Sequence, residues 1–307
     1  MRSSYQRYLW QLLALCLLAA AIMPVVAWYD LTHCQEQPER LLMQYQLGKI
    51  DQLRDVDTVF VGDSSLGNAI DAGTFSKLSG KTAVNLALTG FHGYSASYNM
   101  IRRVIRHGAV RNVVVVQALD MMTRAPSYEG YAYSAQVMDL LDPRAFPFRE
   151  LPSYLKALAG IFFNTQSLRN LVYFWLSSTT TPSWLSNDYI RQGPVRSVDE
   201  EKLKGLPTAR IDLRNTWFLR KMAAYCREHD VNIVYMHGPT LDVRADLSGD
   251  YLRRVNDLIA QAGIPVVQQV VTLPLSMMGD SPLDHVAPEN KAEATRLFWE
   301  RLRGSLR

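Results

Sequence analysis

Short apolar runs, separated by segments of helical character, constrain the fold of this chain most strongly. Residues 58–61 and 113–116 are β-branched or aromatic throughout, and residues 83–87, 231–236 and 264–267 are shorter or more mixed runs of the same kind. Such runs are typical of parallel strands that are buried on both faces. Their alternation with helices predicts an α/β domain in which a mostly parallel sheet carries helices on both faces.

Helical patterns fill most of the remaining chain, with one exception. Helices are predicted at residues 98–107, 216–229, 251–262 and 289–306. The segment from about 124 to 210 shows no clear strand and is rich in Pro, Tyr, Trp and Phe, with one or two helices predicted over 151–176. We interpret it as a helical insertion, which either extends the core or forms a lid, a membrane-facing surface or a partner-docking helix.

The N-terminus contains an apolar run over residues 9–28 without an ionised residue. At about 1.5 Å per residue this run spans roughly 30 Å, the hydrocarbon thickness of a bilayer. Arginines precede it and acidic residues follow it, which favours a cytoplasmic N-terminus. We therefore expect a tail and single-pass anchor over 1–30, embedded in the inner membrane through residues 9–28. A cleaved signal peptide and a helix of a soluble protein are the alternatives.

Beyond this anchor, the sequence predicts a helical stalk over residues 31–55 and one domain over residues 56–307. The orientation of the anchor places that domain outside the cytoplasm, in the periplasm. Pairing of Cys34 with Cys226 is conceivable there, although nothing in their spacing indicates it.

Composition excludes several classes of protein. The chain of 307 residues is 48% hydrophobic and 20% charged, which argues against disorder. A net charge of +4 without a basic cluster argues against nucleic acid as a partner. The three cysteines form no CxxC motif and no Cys/His pair at metal spacing, so neither a zinc site nor a disulfide framework is indicated.

Two short stretches have the residue types needed for nucleophilic catalysis. In the first, Gly62-Asp63-Ser64 follows a predicted strand, so Ser64 would lie at the carboxyl edge of the sheet, just before a helix. Free N–H groups at such a helix start stabilise developing negative charge. Taken alone, this stretch is also a common turn with an N-cap, in which Asp63 ties the turn to neighbouring backbone.

The second stretch precedes the C-terminal helix and contains Asp280, Asp284 and His285. A serine hydroxyl is a weak nucleophile until a base removes its proton, and histidine is the usual base near neutral pH. A carboxylate beside that histidine fixes its tautomer and stabilises the imidazolium. Taken alone, this stretch is more typical of a loop with a helix cap.

Together the two stretches resemble the SGNH/GDSL hydrolase superfamily, in particular its membrane-anchored extracytoplasmic branch. That branch includes alginate and cellulose O-acetylation proteins and the D-alanyl transfer protein of teichoic acid modification. The similarity is in the sequences VFVGDSSLGNAID, AVNLALTGFHG and LDHVAPENKAEATRLFWERL, which resemble the nucleophile, glycine and histidine blocks. It covers about 56–122 and 213–303, and the insertion is unmatched.

The resemblance implies a three-layer, flavodoxin-like SGNH fold and a set of site residues. Ser64 would be the nucleophile, His285 its base, and the N–H groups of Ser64 and Gly90 the oxyanion donors. No cofactor or metal is expected. The third block of the family usually supplies an oxyanion Asn, which is missing here, and Pro282 stands where the family usually has Asp. Asp280 and Asp284 therefore both remain candidates for the third triad member.

The expected function is an extracytoplasmic serine O-acyltransferase acting on a cell-surface polysaccharide or cell-wall polymer. The resemblance implies a membrane-bound O-acyltransferase partner that supplies the acyl group, most simply acetyl. A stand-alone carbohydrate esterase or lipase-like hydrolase and a non-catalytic scaffold of a membrane acylation complex are the alternatives. His92 is interpreted as a loop residue near the site, and His237 as a packing residue or part of the pocket wall.

Overall fold

A computed structural model of the chain describes residues 2–33, 38–108, 110–136, 139, 148–162 and 203–307. Its centre is a parallel four-stranded sheet in the order β2-β1-β3-β4. The strands are β1 (Thr58–Gly62), β2 (Ala83–Ala87), β3 (Asn112–Gln117) and β4 (Asn232–His237). All four coincide with predicted strands, so the predicted α/β class with a parallel sheet is confirmed.

The predicted fifth strand at 264–267 is not formed as such. Val266 makes a single parallel bridge with Tyr235 at the edge of the sheet. Pro265 has no backbone N–H to donate, which limits the ladder that this segment can build. A small second sheet, unpredicted, pairs β5 (Thr240–Leu241) with β6 (Thr272–Leu273).

Helices follow most strands, as in other βαβ arrangements. The helices are α1 (Arg2–His33), α2 (Pro38–Asp51), α3 (Ser64–Ala69), α4 (Ala72–Ser79), α5 (Gly93–His107), α6 (Tyr128–Ser134), α7 (Leu151–Phe162), α8 (Asn215–Glu228), α9 (Asp242–Asp246), α10 (Gly249–Gln261) and α11 (Lys291–Leu302). Helix α5 begins five residues before its predicted start. The helix expected just after Ser64 is α3, which begins at Ser64 itself, and the short helix α4 is unpredicted.

The sheet has a separate apolar cluster on each face. Alternate residues of one strand point to opposite faces, and accordingly Val113 and Val115 contribute to one cluster and Val114 and Val116 to the other. The first cluster packs against α5, α8 and α10, and the second against α3, α4 and α11. The described chain therefore has three layers, with the sheet in the middle.

The N-terminal helix α1 is the one described helix long and apolar enough to cross a membrane, over residues 5–27. The mean hydropathy of this span is 2.3, and 6% of it is buried. The helix extends to His33 and therefore enters the segment predicted as a stalk. Pro24 lies inside it, a position that membrane helices tolerate.

The second helix, α2, lies within the predicted stalk of residues 31–55 but packs on the domain. Met43 and Ile50 belong to the core. The Gln46 side chain donates to the Ala87 carbonyl at 2.8 Å. Residues 38–51 are thus part of the domain's packing, and they cover the strand that leads toward Gly90.

The described parts of the predicted insertion at about 124–210 are helical, without a strand. Tyr131 of α6 and Tyr154 of α7 are fully or almost fully buried and stack edge to face, with ring centroids 5.7 Å apart. Both join the core cluster beside α5. In these parts the insertion extends the core. Of the segment 151–176, predicted as one or two helices, residues 163–176 lie outside the described residues.

Candidate functional site

The turn after β1 places Ser64 at the carboxyl edge of the sheet. Gly62 ends the strand where a side chain would overlap the carbonyl oxygen of Val116 in β3, so the close approach of the two strands requires glycine. Ser64 then begins α3, with Asp63 as the N-cap. Ser64 is half-buried, and its hydroxyl has no hydrogen bond to any residue that the structure describes.

Asp63 ties this turn to the neighbouring strand. One of its carboxylate oxygens accepts from the Ser65 amide at 3.0 Å and the Ser65 hydroxyl at 2.6 Å. The other oxygen accepts from the Ala118 amide at 2.9 Å, just beyond the end of β3. The turn interpretation of Asp63 is therefore confirmed, and the residue fixes the backbone on which Ser64 sits.

Ser64 and Gly90 lie just beyond the carboxyl ends of the adjacent strands β1 and β2. Gly62 is in register with Ala87, so Ser64 lies two residues and Gly90 three residues beyond a paired position at the same sheet edge. Neither amide nitrogen donates to an acceptor within the described part of the chain. Two free N–H groups at one edge are the elements of an oxyanion hole.

Arg124 lies directly against Gly90 and was not singled out from the sequence. A Cβ atom on Gly90 would overlap Arg124 Nη1. The guanidinium donates to both carboxylate oxygens of Asp120, at 3.0 and 3.1 Å, which fixes its position. No local motif marks this residue, because only the folding of the segment after β3 brings it to Gly90.

The histidine loop runs from Gly279 to His285 and closes on itself. The Gly279 amide donates to the His285 carbonyl at 2.7 Å, and the His285 amide donates to the Ser281 carbonyl at 2.8 Å. This closure brings Asp280 back to the imidazole, whose Nδ1 is 2.7 Å from Asp280 Oδ1. The two side chains are 14% and 17% exposed, so their hydrogen bond is largely shielded from water.

Asp284 has a different partner. Its Oδ1 accepts from the Ser281 hydroxyl at 2.6 Å and lies 4.0 Å from His285 Nε2. This separation is too long for a hydrogen bond. Of the two carboxylates left open by the sequence, Asp280 is the one bonded to the histidine. His285 Nε2 has no hydrogen bond within the described residues.

Three observations connect the serine turn to the histidine loop. The Thr295 hydroxyl in α11 donates to the Ala69 carbonyl at 3.2 Å and accepts from the Asp71 amide at 2.9 Å, which joins the helix after His285 to the end of the helix after Ser64. In addition, burial raises the pKa of the Asp63 carboxyl, and the nearby Asp284 carboxylate raises it further. Hydrogen bonds from Ser65 and Ala118 and the positive charge of Arg124 lower this pKa. Arg124, which lies against Gly90, also lines the same cavity as Ser281 and Asp284 of the histidine loop.

The two other histidines near the sheet edge are buried and neutral. His92 bonds Thr89 through Nδ1 at 3.0 Å, and His237 bonds Asn256 through Nε2 at 2.8 Å. Burial lowers the pKa of each to about 4. His237 is 1% exposed, which supports the packing interpretation, and His92 borders a different cavity, beside Glu129 and Tyr133.

Other sequence predictions concern metals and cysteines. Within the described ranges, no group of three or more His, Cys, Asp or Glu residues is arranged to hold a metal ion. Cys226 is a free, buried thiol, whose pKa burial raises to about 12, so it is not paired with Cys34. Cys34 itself lies outside the described residues.

Comparison with known proteins assigns no family. No family model matches the chain, and no curated protein matches it. The geometry of the site and the candidate membrane helix therefore carry the functional argument.

Proposed function

We propose that this protein is an extracytoplasmic serine O-acyltransferase that modifies a cell-surface polysaccharide or cell-wall polymer through an acyl-Ser64 intermediate. The observation that carries the proposal is the Asp280–His285 hydrogen bond, in a loop that shares a cavity with Arg124, the neighbour of Gly90. In a Ser-His-Asp triad, the carboxylate orients the imidazole through Nδ1 and leaves Nε2 for the serine. The free Nε2 and the free Ser64 hydroxyl match this requirement.

In the proposed first step, Ser64 Oγ attacks the carbonyl carbon of an acyl donor while His285 Nε2 accepts the hydroxyl proton. The tetrahedral oxyanion is stabilised by the amides of Ser64 and Gly90, and each such donor is worth roughly 3 kcal/mol. The donor's leaving oxygen then takes the proton from His285. Asp280 remains ionised and stabilises the imidazolium while it exists.

In the second step, a sugar hydroxyl of the acceptor attacks acyl-Ser64. His285 takes the proton from that hydroxyl and returns it to Ser64 Oγ, which regenerates the free enzyme. Arg124, held in place by Asp120, supplies positive charge beside Gly90. We assign it to stabilisation of the same oxyanion.

The apolar helix α1 supports membrane attachment of this enzyme. With the arginines near the start of the chain in the cytoplasm, the domain would be periplasmic. Acyl donors made in the cytoplasm then require delivery across the bilayer. We propose a membrane-bound O-acyltransferase as the partner that supplies the acyl group.

The test is Ser64→Ala in cells that produce the full chain. Polymer acylation should be lost while the protein remains folded and at normal abundance. Ser305→Ala is the matched control, because Ser305 is exposed at the C-terminus, away from the site. Unchanged acylation in the Ser64 variant would refute the proposal. Rapid ester hydrolysis by purified protein without transfer would instead identify a stand-alone hydrolase.

A further inference from the structure

A cationic cleft adjoins the histidine loop. It is an open cavity of about 720 Å³, and Ser281 and Asp284 of that loop form part of its wall. Among the described residues, its charged lining consists of four cations and two carboxylates: Arg124, Lys204, Arg210, Arg244, Asp120 and Asp284. The volume is within the range of small-molecule and cofactor pockets, roughly 300–1,000 Å³. A ligand in this cleft would therefore lie beside the residues proposed to perform acyl transfer.

Arg244 is the most informative of these cations. The residue is 5% exposed, and its Nε is buried without a hydrogen-bond partner. No carboxylate of the described residues forms an ion pair with it. Buried guanidinium groups are normally paired, because removal of the charge from water is otherwise unfavourable. An unpaired Arg in the wall of a cleft thus indicates a missing anionic partner.

The remaining charged residues of the cleft add to its excess of positive charge. Arg124 is satisfied by Asp120, and Asp284 accepts from the Ser281 hydroxyl. The side chains of Lys204 and Arg210 form no ion pair or hydrogen bond within the described chain. Among the described residues, the cleft therefore carries more positive than negative charge.

We propose that this cleft binds the anionic groups, carboxylate or phosphate, of an acidic sugar polymer that serves as the acyl acceptor. Guanidinium groups bind both oxyanions through paired N–H donors, and they reject neutral chains that cannot neutralise them. A polymer held there would present its hydroxyls next to His285. The inference rests on the proposed transferase function and specifies the class of acceptor.

The test measures binding separately from catalysis. Full-length Ser64→Ala protein in a neutral detergent is titrated calorimetrically with three probes: oligogalacturonate, oligo(glycerol phosphate) and a neutral cello-oligosaccharide of equal length. We expect at least one acidic probe to bind at least tenfold more tightly than the neutral probe, with affinity falling as salt rises. The tighter of the two acids identifies carboxylate or phosphate as the natural group. Equal binding of all three probes would overturn the proposal.

Charge-removing variants locate the binding site. Arg210→Gln and Arg244→Gln should each weaken the acidic probe at least fivefold. Arg254→Gln in α10 is the control, because Arg254 is exposed, lies outside the cleft and forms no ion pair with a described residue. Arg210 is exposed, so its variant keeps the test valid if removal of the buried Arg244 disturbs folding. An equal loss in the Arg254 variant would also overturn the proposal.

A second readout separates this inference from the proposed function. Wild-type protein is treated with a fluorophosphonate probe, which reports the reactivity of Ser64. Normal labelling of Ser64, combined with no preference for acidic over neutral probes, would refute the acidic acceptor. The proposed transferase function would still stand. Absent labelling in the wild type would refute the catalytic serine, whatever the binding data show.

Discussion

His285 Nδ1 lies 2.7 Å from a carboxylate oxygen of Asp280, five residues earlier in the same loop. The adjacent Asp284 is 4.0 Å from the other ring nitrogen and is bonded to Ser281 instead. A carboxylate on Nδ1 fixes the tautomer that leaves Nε2 as a base. The loop therefore divides the two carboxylates into one that orients the histidine and one that stabilises the turn.

This division predicts unequal effects of two matched substitutions. Asp280→Asn should lower the fluorophosphonate labelling rate by about 10²–10⁴-fold, because the amide favours the wrong tautomer of His285. Asp284→Asn should lower it by less than about fivefold, since an amide oxygen still accepts from Ser281. Labelling rates of both full-length variants in detergent give the comparison. A larger effect for Asp284→Asn would assign the triad to that carboxylate.

Gly90 provides a test of the oxyanion hole. Gly90→Ala should reduce labelling at least tenfold with little change in stability, because the added methyl group overlaps Arg124 Nη1 and displaces it from the Gly90 amide. Gly48→Ala in α2 is the control, since no atom lies within 4 Å of the added methyl group. It should retain full labelling and gain up to about 1 kcal/mol of stability from helix propensity. Unimpaired labelling of Gly90→Ala would remove Arg124 from the oxyanion site.

The hydrogen bonds of Asp63 should contribute to the stability of the folded protein. In Asp63→Asn, the NH₂ group replaces one acceptor and faces an N–H donor, so the free energy of unfolding should fall by roughly 1–3 kcal/mol. Urea titration measures this change. Asp257→Asn, an exposed residue of α10 without partners, should change it by less than about 0.5 kcal/mol. Equal stabilities would show that the Asp63 hydrogen bonds do not hold the turn.

The buried histidines predict a pH dependence of stability. The pKa values of His92 and His237 fall to about 4 in the folded chain, from 6.5 in the free residue. Between these values the unfolded chain binds protons that the folded chain does not, so stability falls as pH decreases from 6.5 to 4. The loss should be on the order of 2–3 kcal/mol per histidine.

The same urea titrations, repeated across this pH range, measure the effect. His92→Asn should flatten the curve, because it removes one of the two titrating groups. His107→Asn should leave the slope unchanged, since His107 is exposed at the end of α5. A flat curve for the unaltered protein would contradict the burial of both imidazoles.

The sheet and the positions of Ser64 and His285 along the fold could be predicted because β-branched runs and helix stops are local signals. The short helix α4 could not, since its eight residues span only about two turns and give a weak periodic signal. The choice between Asp280 and Asp284 depended on how the loop turns at Pro282. Arg124 was missed for a related reason, as its contact with Gly90 exists only in the folded chain.

The central claim is that Ser64 is the acylated nucleophile and that His285 activates it. Peptide mass spectrometry after fluorophosphonate treatment of the full-length protein tests this claim most directly. We predict one adduct, on Ser64, that disappears in His285→Ala and persists in His107→Ala. An adduct on a different residue, or labelling of Ser64 at the same rate without the imidazole of His285, would contradict it.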